Sequence, residues 1–291
     1  MRRIRVSAKG VLAVASLGLA FAAAAGAAPA AASSVIVSPG APVQIAFVAD
    51  RSGAAASYYA GIRNAARMAL QLQGTIRGFR VQLNDDLDAP CASIAQGVAD
   101  ANAVVGNPQN VAVIGHFCSP SLGGTGLPGS CPSPGATSAL SIYERSGVVV
   151  INGSTTSPCL PAIGPSVFNA TIISDPGSDA WYAQVAALPI DRLWQLIYQA
   201  EFGVAPTGFA DLYFDATRVL LTRIRQTSRV VQGSLVIDRA ALAQAVRHTS
   251  GFPGVTCSIS LDPATGYRIN DQAALARCAL PFFGSALGVA G

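Results

Sequence analysis

The sequence predicts an α/β fold, a doubly wound parallel sheet followed by a C-terminal β-hairpin. Three observations carry this. Residues 43–114 run strand, helix, strand, helix, strand, the alternation that builds parallel sheets through right-handed crossovers. Two β-branched runs, residues 111–114 and 148–151, each end in a cluster of Ser, Thr, Gly and Pro where a strand hands over to a turn or helix. Residues 251–268 place Asp262, Pro263, Ala264, Thr265 and Gly266 between short apolar runs, which predicts the hairpin.

Residues 1–32 have the build of a secretory signal peptide. Arg2, Arg3, Arg5 and Lys9 precede an apolar stretch over 11–25, and Ala30, Ala31 and Ala32 offer a small-residue cleavage site. The competing reading is an uncleaved membrane anchor, for which the apolar stretch is short. With the leader removed near Ala32, about 259 of the 291 residues remain, and their arginines balance the 15 acidic residues. The formal +4 thus belongs to the leader, and a neutral mature chain carries no electrostatic footprint for nucleic acid. A 51% hydrophobic content fits a packed domain, and the leader directs it to the periplasm or outside the cell.

The elements follow in order. Residues 33–41 read as a linker. Residues 43–48 are a buried strand that turns at Asp50, Arg51, Ser52 and Gly53. A helix over 60–72 sets Ile62, Ala65, Ala66, Ala69 and Leu72 at helical spacing. Residues 79–83 alternate as the second strand, and Asp85, Asp86 and Asp88 then form a solvated acidic loop. Calcium is the alternative there, without ligand spacing to support it. A helix over 93–105 leads to the strand at 111–114. Residues 122–137, LGGTGLPGSCPSPGAT, are a Gly/Pro-rich insertion, either a lid or an exposed loop. A helix over 139–146 and the strand at 148–151 complete this half.

The two strand ends carry a resemblance. Gly115, His116, Cys118, Ser119 and Ser121 form G-H-x-C-S-x-S. Ile142, Tyr143, Glu144 and Gly147 form I-Y-E-x-x-G, and Ser154, Thr155, Thr156, Ser157 and Pro158 follow the next strand. This stretch is similar to the first lobe of the periplasmic leucine/isoleucine/valine-binding proteins, the type-I solute receptors of branched-chain amino acid ABC transporters. The resemblance implies that Ser119, Ser154 and Thr156 hold a ligand's carboxylate and ammonium. It also implies an S-G turn at Ser52 and an aromatic packing on the ligand at Tyr58, with Tyr59 beside it as a rival and core packing as the plain alternative.

Farther along, residues 166–173 resemble the strand that leads such chains to their second lobe, and 175–179 the start of that lobe. Residues 193–206 already resemble the helix that returns from it. The second lobe is therefore expected to be largely absent between about 180 and 193, leaving 42–291 as a single lobe. Helices over 209–224, with Leu212, Val219, Leu220 and Ile224 inward, and over 239–248, capped by Asp238, precede the hairpin.

Six cysteines in the exported part permit disulfides. Spacing alone leaves their pairing open. The resemblance implies Cys91–Cys118, and proximity of predicted elements suggests Cys131–Cys159 and Cys257–Cys278. No C-x-x-C or Cys/His spacing supports a metal, and no phosphate-binding glycine motif supports a nucleotide cofactor.

Catalysis has few candidates. His116 and His248 are the available near-neutral bases, no G-x-S-x-G elbow exists, and Lys9 in the leader is the sole lysine. His116 is expected to brace the strand-to-turn corner, and Glu144 to lie on the surface. The expected function is therefore non-enzymatic: extracytoplasmic binding of an amino acid or similar small carboxylate, passed to an ABC permease. The alternative is a secreted interaction module that keeps the fold, has lost ligand binding, and meets a partner or a second copy of itself.

Overall fold

The computed structural model describes residues 34–124, 136–163, 167–169 and 188–269, together with Cys278. The predicted leader, most of the insertion, the expected second-lobe start and Cys131 lie outside the described residues. The central sheet has six strands. They are β2 (Val43–Ala49), β3 (Thr75–Ile76), β4 (Phe79–Asp88), β5 (Asn110–Gly115), β6 (Val149–Asn152) and β7 (Val167–Asn169), numbered after a short β1 (Val35–Val37). Their order is β3-β4-β2-β5-β6-β7, parallel throughout except for β3, which runs antiparallel along the outer edge of β4. The doubly wound parallel sheet is as the sequence predicts.

Alternation along β2 explains the layering. Ile45 and Phe47 face one side, where α1 (Ala56–Gln73) contributes Ile62 and Ala66. Ala46 and Val48 face the other, against Ala101 and Val104 of α2 (Ile94–Gly106). A four-residue α3 (Ser119–Leu122) follows β5. α4 (Ala139–Ser146) adds Leu140 and Tyr143 to the α2 side, and α5 (Leu160–Ile163) follows β6. A strand covered on both faces reads as a near-continuous apolar run, and β5 and β6 are buried along their whole lengths, with polar residues only at the ends, Asn110 and Asn152.

The C-terminal half returns to the α1 side. α6 (Pro189–Phe202) and α7 (Ala210–Thr227) bring Trp194, Tyr198 and Phe214 against Ala65, Met68 and Ala69. Tyr198 donates its hydroxyl to the Gly61 carbonyl at 3.1 Å, which fastens α6 to α1. Leu212, Val219, Leu220 and Ile224 are buried as expected, whereas Leu72, near the end of α1, is 45% exposed. It lies in the last turn of α1, where the neighbouring Gln71 hydrogen-bonds Glu201 at the end of α6. Ser93 caps α2 through Gln96 N–H at 3.1 Å, and Asp238 caps α8 (Arg239–Arg247) through Ala241 N–H at 2.9 Å. Each such cap stabilises by about 1 kcal/mol.

Three expectations are corrected. The linker is in part a strand: β1 pairs antiparallel with β9 (Ser234–Ile237), which pairs with β8 (Arg229–Val231) in a separate three-stranded sheet. The acidic stretch belongs to β4, whose pairing with β2 continues to Ala49↔Asp88 after an irregularity between Ala46 and Val48. The tight C-terminal hairpin is earlier than expected, β10 (Phe252–Gly254) against β11 (Cys257–Ile259). The Asp262–Gly266 turn forms a second, smaller loop closed by a Leu261↔Arg268 bridge. Disulfides join Cys91 to Cys118 and Cys257 to Cys278, with Cα–Cα distances of 5.1 and 5.3 Å. Cys159 is also disulfide-bonded, and Cys131, its expected partner, is outside the described residues.

Candidate functional site

In this sheet the strand order reverses beside β2: the chain goes to β4 on one side, then crosses to β5 on the other. The crevice beyond the carboxyl ends of β2 and β5 is the switch point, where open α/β sheets receive ligands. Of the expected ligand residues, Ser52 follows β2, Ser154 and Thr156 follow β6, Ser119 opens α3 after β5, and Tyr58 lies in the first turn of α1.

The loop after β2 is tied down by carboxylates. Asp50, 1% exposed, accepts Gly53 N–H at 2.5 Å through Oδ1. Its Oδ2 accepts Ala55 N–H at 3.0 Å and Cys91 N–H at 3.1 Å. A Cβ on Gly53 would stand 2.7 Å from both carboxylate oxygens, so any side chain here forces the Asp50 carboxylate to shift. Asp88, at the end of β4, accepts Arg51 N–H at 2.7 Å and is also bonded by the hydroxyl and N–H of Ser52. Burial raises the Asp88 pKa, but these hydrogen bonds outweigh it and hold the carboxyl below its ordinary range. Ser52 is thus exposed at the rim and engaged by Asp88.

Tyr58, half-buried at the start of α1, stacks on Phe117 with centroids 5.4 Å apart and an interplanar angle of 19°. The edge of Phe209 completes the cluster at 5.7 Å. Tyr59 turns instead to Phe47 at 6.1 Å, so Tyr58 is the aromatic on the crevice side. Phe117 also stacks on the buried Tyr213 at 6.2 Å.

The loops after β5 and β6 meet each other. Ser119 Oγ accepts both Thr156 N–H and Ser157 N–H, each at 3.2 Å. Ser154 donates its hydroxyl to the Phe117 carbonyl at 2.6 Å and lies 3.0 Å from the Tyr213 hydroxyl. Asn152 builds the second turn from inside, its Oδ1 accepting Ser154 N–H, Thr155 N–H and the Thr155 hydroxyl. Gly153 lets α7 approach, since a Cβ there would meet Leu212 at 2.8 Å. Tyr267 holds the loop from the C-terminal segment by donating to the Ser157 carbonyl at 2.6 Å.

His116 is fully buried and hydrogen-bonded through Nε2 to the Tyr143 hydroxyl at 2.9 Å. Burial pushes its pKa down to about 3, so it is a neutral brace at the corner, as expected from sequence. Asp50, Asn152, Tyr213 and Tyr267 escaped the sequence reading. Asp50 sits in a recognisable D-x-S-G turn and Asn152 caps its own N-G-S-T turn, local signals that could have found them; Tyr213 and Tyr267 act through contacts between distant segments. Concavities of about 380 and 330 Å³ lie elsewhere, along β4, lined by Gln44, Gln82, Asp85, Arg63 and Arg67 among others. Arg63 and Asp85 form a salt bridge there.

A separate acidic group lies where α6 and α7 begin. Burial, then the neighbouring Asp211 charge, raise Asp191 to about 8, and burial raises Asp211 to about 6. Asp215 is also raised by burial, although it accepts Val255 N–H, Thr256 N–H and the Thr256 hydroxyl.

No protein-family profile matches the sequence, and no curated protein does. Solved structures do resemble the fold. A leucine-binding protein LivK from Thermotoga maritima has 14% identity and a TM-score of 0.60, over 78% of this chain and 93% of that one. The branched-chain amino acid transporter substrate-binding protein LivJ from Streptococcus pneumoniae, in complex with isoleucine, has 12% identity and a TM-score of 0.60 over the same shares. A solute-binding protein of an ABC transporter from Rhodopseudomonas palustris, in complex with 3,4-dihydroxybenzoic acid, has 11% identity and a TM-score of 0.60, over 78% of this chain and 91% of that one. At these identities the similarity establishes the fold, that of the type-I periplasmic binding proteins.

Proposed function

We propose that the protein is an extracytoplasmic, non-enzymatic receptor for an amino acid or similar small carboxylate, serving an ABC transporter of the branched-chain amino acid type. The observation that carries this reading is the convergence of Thr156 and Ser157 N–H groups on one oxygen, Ser119 Oγ, beside the switch point. Two adjacent amides aimed at one point form an anion cradle. Hydrogen bonds to an ionised acceptor are about twice as strong as neutral ones, so a carboxylate can displace or share the place of the Ser119 hydroxyl. The stack of Tyr58 on Phe117 supplies an apolar wall for the remainder of the ligand. The solved structures that share the fold carry amino acid and aromatic acid ligands, which agrees with this chemistry.

The receptor works as one lobe. Between β7 and α6 the chain has only residues 170–188, whereas a second lobe needs on the order of 100 residues. A small-molecule site normally encloses about 70–90% of its ligand. With one wall, binding falls nearer the ~mM end of the affinity scale, and a second subunit or the insertion at 122–137 supplies the rest.

Thermal unfolding of the oxidised, leader-free protein tests this. L-Leucine, L-leucinamide and 3,4-dihydroxybenzoate are titrated to well above millimolar. A ligand at 100 times its Kd adds about 2.7 kcal/mol, and each kcal/mol raises the midpoint by roughly 2–4 °C. A rise with L-leucine or the benzoate and none with the amide supports a carboxylate receptor. A cooperative transition unmoved by all three overturns it. The second reading, an interaction module, is favoured by the internal engagement of the Ser52 and Ser154 hydroxyls. It predicts that unmoved transition together with dimer formation in sedimentation equilibrium.

A further inference from the structure

We propose that Asp50 is a positioning residue for the candidate site, setting the place of residues 117–119 through two separate links. The inference deepens the receptor reading and rests on it for its effect on affinity. One link is noncovalent: Asp50 Oδ2 holds Ala55 N–H at 3.0 Å, just ahead of α1, whose first turn carries Tyr58, stacked on Phe117. The other is covalent: the same oxygen holds Cys91 N–H at 3.1 Å, and Cys91 is disulfide-bonded to Cys118, the neighbour of Ser119. Both links converge on the short segment that presents Phe117 to the ligand wall and Ser119 to the amide cradle. Ser119 in turn fixes the Thr156 and Ser157 amides on the loop after β6.

Geometry favours this role over simple core filling. Asp50 is buried, yet its three partners are backbone amides on two different loops, and none belongs to a regular strand or helix ladder. Gly53 leaves the space that the carboxylate needs. An Asn side chain has the same shape but only one acceptor oxygen. In Asp50→Asn, either Gly53 N–H or the Ala55 and Cys91 pair then faces an NH₂ group.

The experiment is amide hydrogen exchange on the oxidised, leader-free protein, comparing wild type, Asp50→Asn and the pair Cys91→Ser/Cys118→Ser. In Asp50→Asn, exchange is expected to quicken at Gly53, Ala55 and Cys91. It should also quicken about tenfold at Thr156 and Ser157, the equivalent of one lost hydrogen bond, while Val150 in the sheet keeps its wild-type rate. The cysteine pair should reproduce the change at Thr156 and Ser157, and decides the matter if Asp50→Asn does not fold. Quickening confined to Gly53, Ala55 and Cys91 overturns the proposal, and so does a uniform rise that includes Val150. L-Leucine is titrated in parallel, with about a tenfold weaker Kd expected for Asp50→Asn. If wild type ignores L-leucine, the receptor reading has failed for that ligand while the exchange rates still decide whether Asp50 governs the second loop.

Discussion

Two strand-end loops at the same crevice treat their backbone amides in opposite ways. After β2, the amides of Arg51, Ser52, Gly53 and Ala55 are taken by the carboxylates of Asp50 and Asp88. After β6, the amides of Thr156 and Ser157 meet the neutral hydroxyl of Ser119. A built-in anion saturates the first loop with charge-assisted bonds, whereas a hydroxyl is a weaker acceptor that an incoming carboxylate can outcompete. Strand-end amides are thus common to both, and on the proposed reading the ligand takes the loop whose acceptor can be replaced. Asp191 marks the third case, a buried carboxylate at the start of α6 whose pKa rises to about 8.

The largest expected effect comes from breaking the saturated loop. Gly53→Ala drives a Cβ into both Asp50 oxygens, and overpacking of this kind costs about 1–3 kcal/mol. The thermal midpoint should fall by roughly 2–4 °C per kcal/mol, and an unchanged midpoint would mean the loop yields freely. Next is a substitution that makes the second loop resemble the first. Ser119→Asp supplies a resident carboxylate to Thr156 and Ser157, so the midpoint should hold or rise while any L-leucine response disappears. Ser119→Ala should lose the response too, but with a lower midpoint, because two amides are left without their acceptor at about 1 kcal/mol. A retained response in Ser119→Asp would place the anion elsewhere.

The third test uses pH. Asp191 has a folded-state pKa of about 8 against 3.8 when unfolded, so between these values the folded state binds the proton more tightly. Its contribution is fully present below about pH 3.8 and is lost as pH rises through about 8. Urea unfolding from pH 4 to 9 should show wild type losing stability relative to Asp191→Asn as pH rises. Parallel curves would refute the shift. Asp88, with its pKa depressed, acts in the opposite sense, contributing above the unfolded value and losing that contribution in acid. The smallest effect is expected for Tyr58→Phe, which keeps the stack on Phe117 and should leave the stability within about 0.5 kcal/mol of wild type, read by urea unfolding.

Much of this arrangement was legible in the sequence, for reasons the residues make plain. Strands β2, β5 and β6 are apolar runs bounded by turn residues, and Asp238 announces its helix by capping chemistry. The Cys91–Cys118 and Cys257–Cys278 pairings follow expectation. What eluded the sequence depends on distant partners. The VIV of β1 is too short to stand as a strand until Ile237 pairs with Val35. Three aspartates near the end of β4 look like a loop because their composition is wrong for a strand. They extend one because β2 supplies the backbone partner on one side, while Arg63 and the Arg51–Ser52 amides receive two of the carboxylates. Ser119, Ser154 and Thr156 were identified as residues, but not the hydrogen bonds they already make with one another's loops. Tyr267 could not have been assigned to Ser157 from a separation of 110 positions.

The pairing of Val35 with Ile237 also sets a calendar for the chain. These residues are about 200 positions apart, so their pairing closes a loop spanning most of the chain. Closing a loop of that length costs on the order of 5 kcal/mol of chain entropy, which three short residue pairs repay only when β8 and β9 are already in place. Val35–Val37 is therefore seated only once β8 and β9 have paired.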